Sequence, residues 1–170
     1  MKILRILTIG ILAVVVLAVA AFVVAGLTVP GARSYVNEVT INAPAEKVWS
    51  VITDIERYPE WQTNLARIEV TDAKNWMEYP RDAPEPLRFS LGADARPERM
   101  EFHYTMGETF SGHWKGEITP TNGGVRLRTT DSYLADGWVT KILIWMFFDY
   151  DRFAKDWNNK LKERVEKLNN

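Results

Sequence analysis

The sequence predicts an α+β fold: an apolar N-terminal helix, then an antiparallel sheet closed by a long C-terminal helix. Three observations predict it. The N-terminus carries a long uncharged apolar run, β-favouring residues alternate through the middle of the chain, and apolar residues recur at helical spacing from Gly137 to Leu168. A length of 170 residues accommodates a membrane segment and one ordinary domain. Lys and Arg total 21 against 22 Asp and Glu, so no basic field points to nucleic acid. There is no cysteine, hence no disulfide framework and no thiol nucleophile. Aromatic residues make up 12%, with 7 Trp, which suggests a large buried or ligand-facing aromatic surface.

No charge lies between Arg5 and Arg33, and Ile6 to Val29 is apolar apart from Thr8, Gly10, Gly26 and Thr28. A bilayer core needs about 20 such residues as helix. Residues 6–29 are therefore expected to be a retained single-pass anchor, with residues 1–33 as anchor and tether and 34–170 as the folded domain. The other reading is a cleaved signal. That would have a shorter apolar centre, about 7–15 residues, and VPGARS is a weak cleavage candidate. Lys2 and Arg5 precede the run, which favours a cytoplasmic N-terminus and an extracytoplasmic domain. Pro30 to Arg33 is all that separates the run from the first strand, so the domain must sit close to the membrane.

Val36 to Ile41 alternates as a half-buried strand. Pro44 suits a first helical position and Glu46 suits the positive end of the helix dipole. Val48, Val51, Ile52 and Ile55 recur at helical spacing, and Asp54 ends this helix and can cap a second short one carrying Tyr58, Pro59 and Trp61. Strands are expected at Ala66–Ala73, Asn75–Tyr79 and Leu87–Leu91, with Tyr79–Pro86 as a loop and Gly92–Pro97 as a turn.

The next strands can be registered. Met100, Phe102, Tyr104 and Met106 share one face; Arg99, Glu101, His103 and Thr105 share the other. Pairing Arg99 with Glu117 sets Glu101 against Lys115, His103 against His113, Phe102 beside Trp114, Tyr104 beside Gly112 and Met100 beside Gly116. Asn122-Gly123 is the strongest hairpin turn signal, and a two-residue turn there pairs Ile118 with Leu127, Gly116 with Thr129, Trp114 with Asp131 and Glu117 with Arg128. The terminal helix, Gly137 to Leu168, has a core stripe of Leu143, Phe147, Tyr150, Ala154, Trp157, Leu161, Val165 and Leu168. Its opening run ILIWMFF, residues 142–148, is apolar all round, which fits either a buried helix start or a lipid-facing patch flanked by Trp138 and Trp145.

The stretch APAEKVWSVITDIERYPEW, residues 43–61, resembles the opening of the START-like, or polyketide cyclase/dehydrase (SRPBCC), superfamily. The resemblance covers roughly Ser34 to Leu168. It implies a helix-grip fold, in which the terminal helix closes over a curved antiparallel sheet and leaves an apolar cavity between them. It does not imply a single activity. The cavity mouth implied by the resemblance lies near Leu134 to Trp138.

Asp131 is the main candidate for chemistry, since the register places it inward beside Trp114, where a carboxylate is costly unless paired. It reads either as an anchor for a ligand head group or general acid/base, or as a strand-end carboxylate with a structural partner. Phe102, Trp114, Thr129, Asp131, Tyr133, Phe147, Tyr150 and Trp157 are expected to surround any cavity; a solid aromatic core is the alternative. Gly112 and Gly116 lie opposite large side chains and are expected to let the sheet bend. His103 and His113 make a poor metal site on the outer face, so neither metal nor cofactor is expected. Asp149 and Asp151 point about 200° apart on a helix and do not converge. No Ser/His/Asp triad, phosphate loop or dinucleotide motif stands at recognisable spacing. The expected function is a membrane-anchored binding domain for a lipid or isoprenoid-like molecule. A cyclase-type enzyme and a structural envelope domain with a filled core are the alternatives.

Overall fold

The computed structural model of the chain describes residues 2–169. Helix α1 is Lys2–Thr28, followed by β1 (Ala32–Ile41), α2 (Ala45–Thr53) and a 3₁₀ turn at Ile55–Glu60. Strands β2 (Leu65–Val70), β3 (Asn75–Pro80), β4 (Leu87–Ala95), β5 (Arg99–Met106), β6 (Phe110–Thr121) and β7 (Gly124–Ala135) then lead to α3 (Trp138–Phe147) and α4 (Tyr150–Asn169). The sheet has 7 strands in the order β1-β7-β6-β5-β4-β3-β2, and each neighbouring pair is antiparallel. Thus the first strand pairs with the last, while α2 and the 3₁₀ turn carry the chain across to the opposite edge. Helix α4 packs on β1 and α2 and completes the helix-grip arrangement.

Both registers read from the sequence are present. Arg99 pairs with Glu117, Phe102 with Trp114 and Tyr104 with Gly112 across β5 and β6. Gly116 pairs with Thr129 and Trp114 with Asp131 across β6 and β7. The outer-face ion pairs run mostly along single strands: Arg99 to Glu101 at 3.4 Å and Lys115 to Glu117 at 3.0 Å. Being solvated, they contribute little.

Helix α2 buries Val48, Trp49, Val51 and Ile52. Each such side chain withdrawn from water stabilises by about 1.5–3 kcal/mol. Pro44, expected as the first helical residue, instead caps the helix one position before Ala45, in an extended conformation (φ −63°, ψ 154°), with its carbonyl accepting from Lys47 and Val48. The Trp49 indole donates to the Pro97 carbonyl at 2.7 Å, which ties α2 to the β4–β5 turn, and the Tyr58 hydroxyl donates to the Ile52 carbonyl at 2.5 Å, which ties the 3₁₀ turn back to α2.

Some expected boundaries move. Strand β4 runs on through Ala95 with an irregularity between Leu91 and Asp94, so the turn expected at Gly92–Pro97 shrinks to residues 96–98. The second strand begins at Leu65 and ends at Val70, short of the expected Ala73, because Thr71 and Asp72 turn back onto Asn75. The terminal helix is two helices. Phe148 is extended (φ −126°, ψ 108°), and Asp149 starts α4 by accepting the Arg152 N–H on its carboxylate at 3.1 Å. A short carboxylate that bonds its own downstream backbone is a strong N-cap, and here it overrides a continuous helical pattern. The expected stripe fails before the break, where Leu143 and Phe147 are exposed and Ile142 is the buried residue of α3, and at the far end of α4, where Leu168 is exposed.

Helix α1 is long and apolar enough to cross a membrane, with a mean hydropathy of 3.0 over an 18-residue stretch within Arg5–Thr28. It meets the rest of the chain at its C-terminal end. Phe22 packs edge-on against Trp138 at 6.0 Å, and α3 approaches Gly26 so closely that a Cβ there would lie 2.8 Å from Ile142. The Ala135 N–H donates to the Gly31 carbonyl at 2.7 Å, which fastens the tether to the end of β7.

Candidate ligand-binding interior

The inward face of the sheet and the inner face of α4 enclose two aromatic groups. In the larger one, Trp76 stacks on Phe89 and meets Phe102 edge-on, each at 5.1 Å; Phe102 stacks on Trp114 at 5.1 Å, and Trp114 meets Trp157 at 5.7 Å. Trp157 also touches Trp61 at 5.6 Å, which joins α4 to the motif segment. The smaller group is phenolic: Tyr150 lies 4.9 Å from Tyr133 and 5.4 Å from Tyr35. Glycine makes this ring packing possible. A Cβ at Gly112 would fall 2.1 Å from the Tyr104 ring, and one at Gly116 would fall 2.4 Å from the Trp114 indole. These glycines therefore seat aromatic rings, a more specific role than the bending expected of them.

Polar groups cross this interior between β1, β7 and α4. Asp131 is 8% exposed, and among the described residues no cation or hydrogen-bond donor reaches its carboxylate. Burial alone pushes its carboxyl up from 3.8 to about 7. Its strand neighbours are Tyr35 of β1 and Trp114 of β6. The hydroxyls of Tyr104 and Tyr150 hydrogen-bond to each other. Both phenols are raised by burial, and the negative field of Asp131 raises them further. Two residues before Asp131, the fully buried Thr129 hydroxyl accepts from Asn158 Nδ2 at 2.8 Å. Among the described residues, Asn158 Oδ1 and Asn37 Nδ2 are buried without hydrogen-bond partners. Both residues line a cleft of about 270 Å³ with Val39, Lys155 and Asn159, between β1 and α4.

A second buried carboxyl lies further along the sheet. Glu78 of β3 is pushed up to about 7 by burial, although the Trp76 indole donates to it at 3.1 Å. The Tyr58 phenol is raised by burial and by the negative field of Glu78.

Of the residues expected around a cavity, Phe102, Trp114, Thr129, Asp131, Tyr133 and Tyr150 are buried together on the inward side, and Trp157 is half-buried against Trp114. Phe147 is not among them. It is 75% exposed, because the helix break at Phe148 leaves the end of α3 outside the packed interior. Sequence reasoning did not single out Tyr35, Asn37, Glu78 or Asn158 for the site. The signals were present: Tyr35 and Asn37 share a strand face with Val39 and Ile41, Glu78 shares a face with Trp76, and Asn158 follows Ala154 by one helical turn.

On the outer face Glu101, His103 and His113 hold potential ligand atoms within 4.8 Å of one another. The Arg99 guanidinium, 3.4 Å from Glu101, competes for that carboxylate. Asp149 caps α4 and Asp151 pairs with Lys155, so both are structural.

A family model described as polyketide cyclase / dehydrase and lipid transport matches residues 32–166. Among solved structures, the Zhui aromatase/cyclase from Streptomyces sp. R1128 is similar at a TM-score of 0.68 and 14% identity, over 82% of this chain and 96% of that one. A START superfamily protein from Mycobacterium smegmatis is similar at a TM-score of 0.60 and 17% identity, over 79% and 98% of the two chains. A truncated norcoclaurine synthase from Thalictrum flavum is similar at 0.63 and 10% identity, over 79% and 93%. At such identities the likeness is one of fold. Comparison with curated proteins finds no match.

Proposed function

Because the chain belongs to the polyketide cyclase/dehydrase and lipid transport family, we propose that it is a membrane-anchored domain that binds an apolar small molecule, lipid or isoprenoid-like, bearing one polar group. Residues 6–29 form the anchor and the domain follows a short tether, with the N-terminus cytoplasmic and the domain on the other side. The observation that carries the binding reading is Asp131: a buried carboxyl without a partner among the described residues, set among aromatic rings. A hydroxyl-bearing ligand would donate to that carboxylate, while its apolar body lies against Phe102, Trp114, Tyr133, Tyr150 and Trp157. Thr129 and Asn158 supply further polar contacts from the cleft side.

The full chain in phosphatidylcholine vesicles should show saturable quenching or enhancement of tryptophan emission on titration with a long-chain isoprenoid alcohol. Asp131→Asn should weaken binding by about tenfold, the value of one hydrogen bond to a charged group. If neither isoprenoid alcohols nor fatty acids bind saturably, the domain is a structural one whose aromatic core is simply filled.

A second reading is cyclase-type catalysis, in keeping with the aromatase/cyclase among the similar folds. It is favoured by a carboxyl poised at about 7 in the same interior as a hydrogen-bonded phenol pair. In that case Asp131→Asn would abolish turnover of a polyketide-like substrate while leaving binding nearly intact.

A further inference from the structure

Helix α3 carries an apolar surface that the fold leaves uncovered. Trp138, Leu143, Trp145, Met146, Phe147 and Phe148 are each at least 40% exposed, and the one charged residue of the helix is Lys141. Lys141 is turned away from this surface, its side chain lying against Gly31 of the tether. A contiguous patch of this kind in water is unfavourable and marks a contact surface.

Its position identifies what covers it. Helix α3 packs on the C-terminal end of α1 through Phe22–Trp138 and Gly26–Ile142. At about 1.5 Å per residue, Phe22 lies roughly 9 Å before Thr28, the last residue of α1. Trp138 therefore sits at the depth at which an interfacial helix is buried, about 5–10 Å into the headgroup and acyl boundary. The domain cannot swing α3 away, because β1 begins at Ala32 paired with Leu134, and Gly31 is bonded to Ala135.

We propose that α3 lies in the bilayer interface at the C-terminal end of α1, with Trp138, Leu143, Trp145, Met146, Phe147 and Phe148 among the lipids. This rests on the reading of α1 as a retained anchor. The opposite side of α3 presents Ile144 to the Tyr133–Tyr150 cluster. One helix, about 10 Å across, thus separates the lipid from the phenolic end of the interior, and an apolar ligand can exchange with the membrane without crossing water.

The chain has no cysteine, so single cysteines report cleanly. Full-length Phe147→Cys, Leu17→Cys and Arg126→Cys variants, each carrying an environment-sensitive fluorophore, are reconstituted into phosphatidylcholine vesicles with and without brominated acyl chains. The expected result is blue-shifted emission with loss of intensity on bromination at positions 147 and 17, and water-like, unquenched emission at 126. Water-like emission at 147 with quenching at 17 would overturn the interfacial helix and leave the anchor standing. Blue-shifted but unquenched emission at 147 would mean that protein, such as a second copy of the chain, covers the patch, and would also overturn it. Loss of quenching at position 17 as well would remove the anchor reading and this proposal together.

Discussion

A carboxyl group held out of water ionises reluctantly, and Asp131 and Glu78 are both so held, each pushed up to about 7. In the unfolded chain these groups ionise near their ordinary values of 3.8 and 4.5, so between roughly pH 4 and 7 these two groups bind more protons in the folded state. Their contribution to stability is therefore full below pH about 4, falls as pH rises, and reaches its floor above about 7. Asp131→Asn removes one such penalty. It should raise the denaturation free energy by about 1–3 kcal/mol at pH ~8 and leave it nearly unchanged at pH ~4. Urea titrations at the two pH values check this, and equal effects at both would contradict an unpartnered Asp131. Glycine is the other residue-scale constraint. Gly112→Ala drives a methyl into the Tyr104 ring, which is held by Phe89, Phe110 and the Tyr150 hydroxyl. The expected cost is about 1–3 kcal/mol in the same denaturation measurement.

Between residues and fold stand the elements, and here the sheet was more legible than the terminal helices. Alternating burial and one Asn-Gly turn specify a register, because a slip by one residue would turn Glu117 inward and Trp114 outward. That register alone brings Asp131 beside Trp114 and Thr129 beside Gly116. Helix periodicity carries no comparable check. Leu143, Phe147 and Tyr150 continue the stripe of Leu161 and Val165 as written, and nothing in the spacing announces that Asp149 caps a new helix. Asp149→Ala should cost about 0.5–2 kcal/mol through the lost cap, read as a lower urea midpoint with unchanged slope. Leu161→Ala, at a fully buried position in the middle of α4, should cost about 2–5 kcal/mol. The polar part of the interior escaped the sequence for a related reason. Asn37, Glu78 and Asn158 look like solvated residues until strand pairing and helix packing put them inside.

At the scale of the molecule, the long apolar helix α1, an aromatic interior and the exposed apolar helix α3 occupy one end-to-end path. The motif segment at residues 43–61 closes the far end of the grip through Trp61 and Trp157, while α1, Gly31 and α3 hold the near end. The buried carboxyl of β7 and the phenol pair of β5 and α4 lie between these ends, a placement that on the proposed reading suits a ligand with an apolar body and a single polar group. On the proposed reading this interior takes up such a molecule. Native mass spectrometry of the full chain, released from nanodiscs made with the membranes in which it was produced, tests this. The expected result is one apolar small molecule bound per chain, with lower occupancy in Asp131→Asn. A bare protein mass in every preparation, together with no saturable uptake of isoprenoid alcohols or fatty acids, would contradict it.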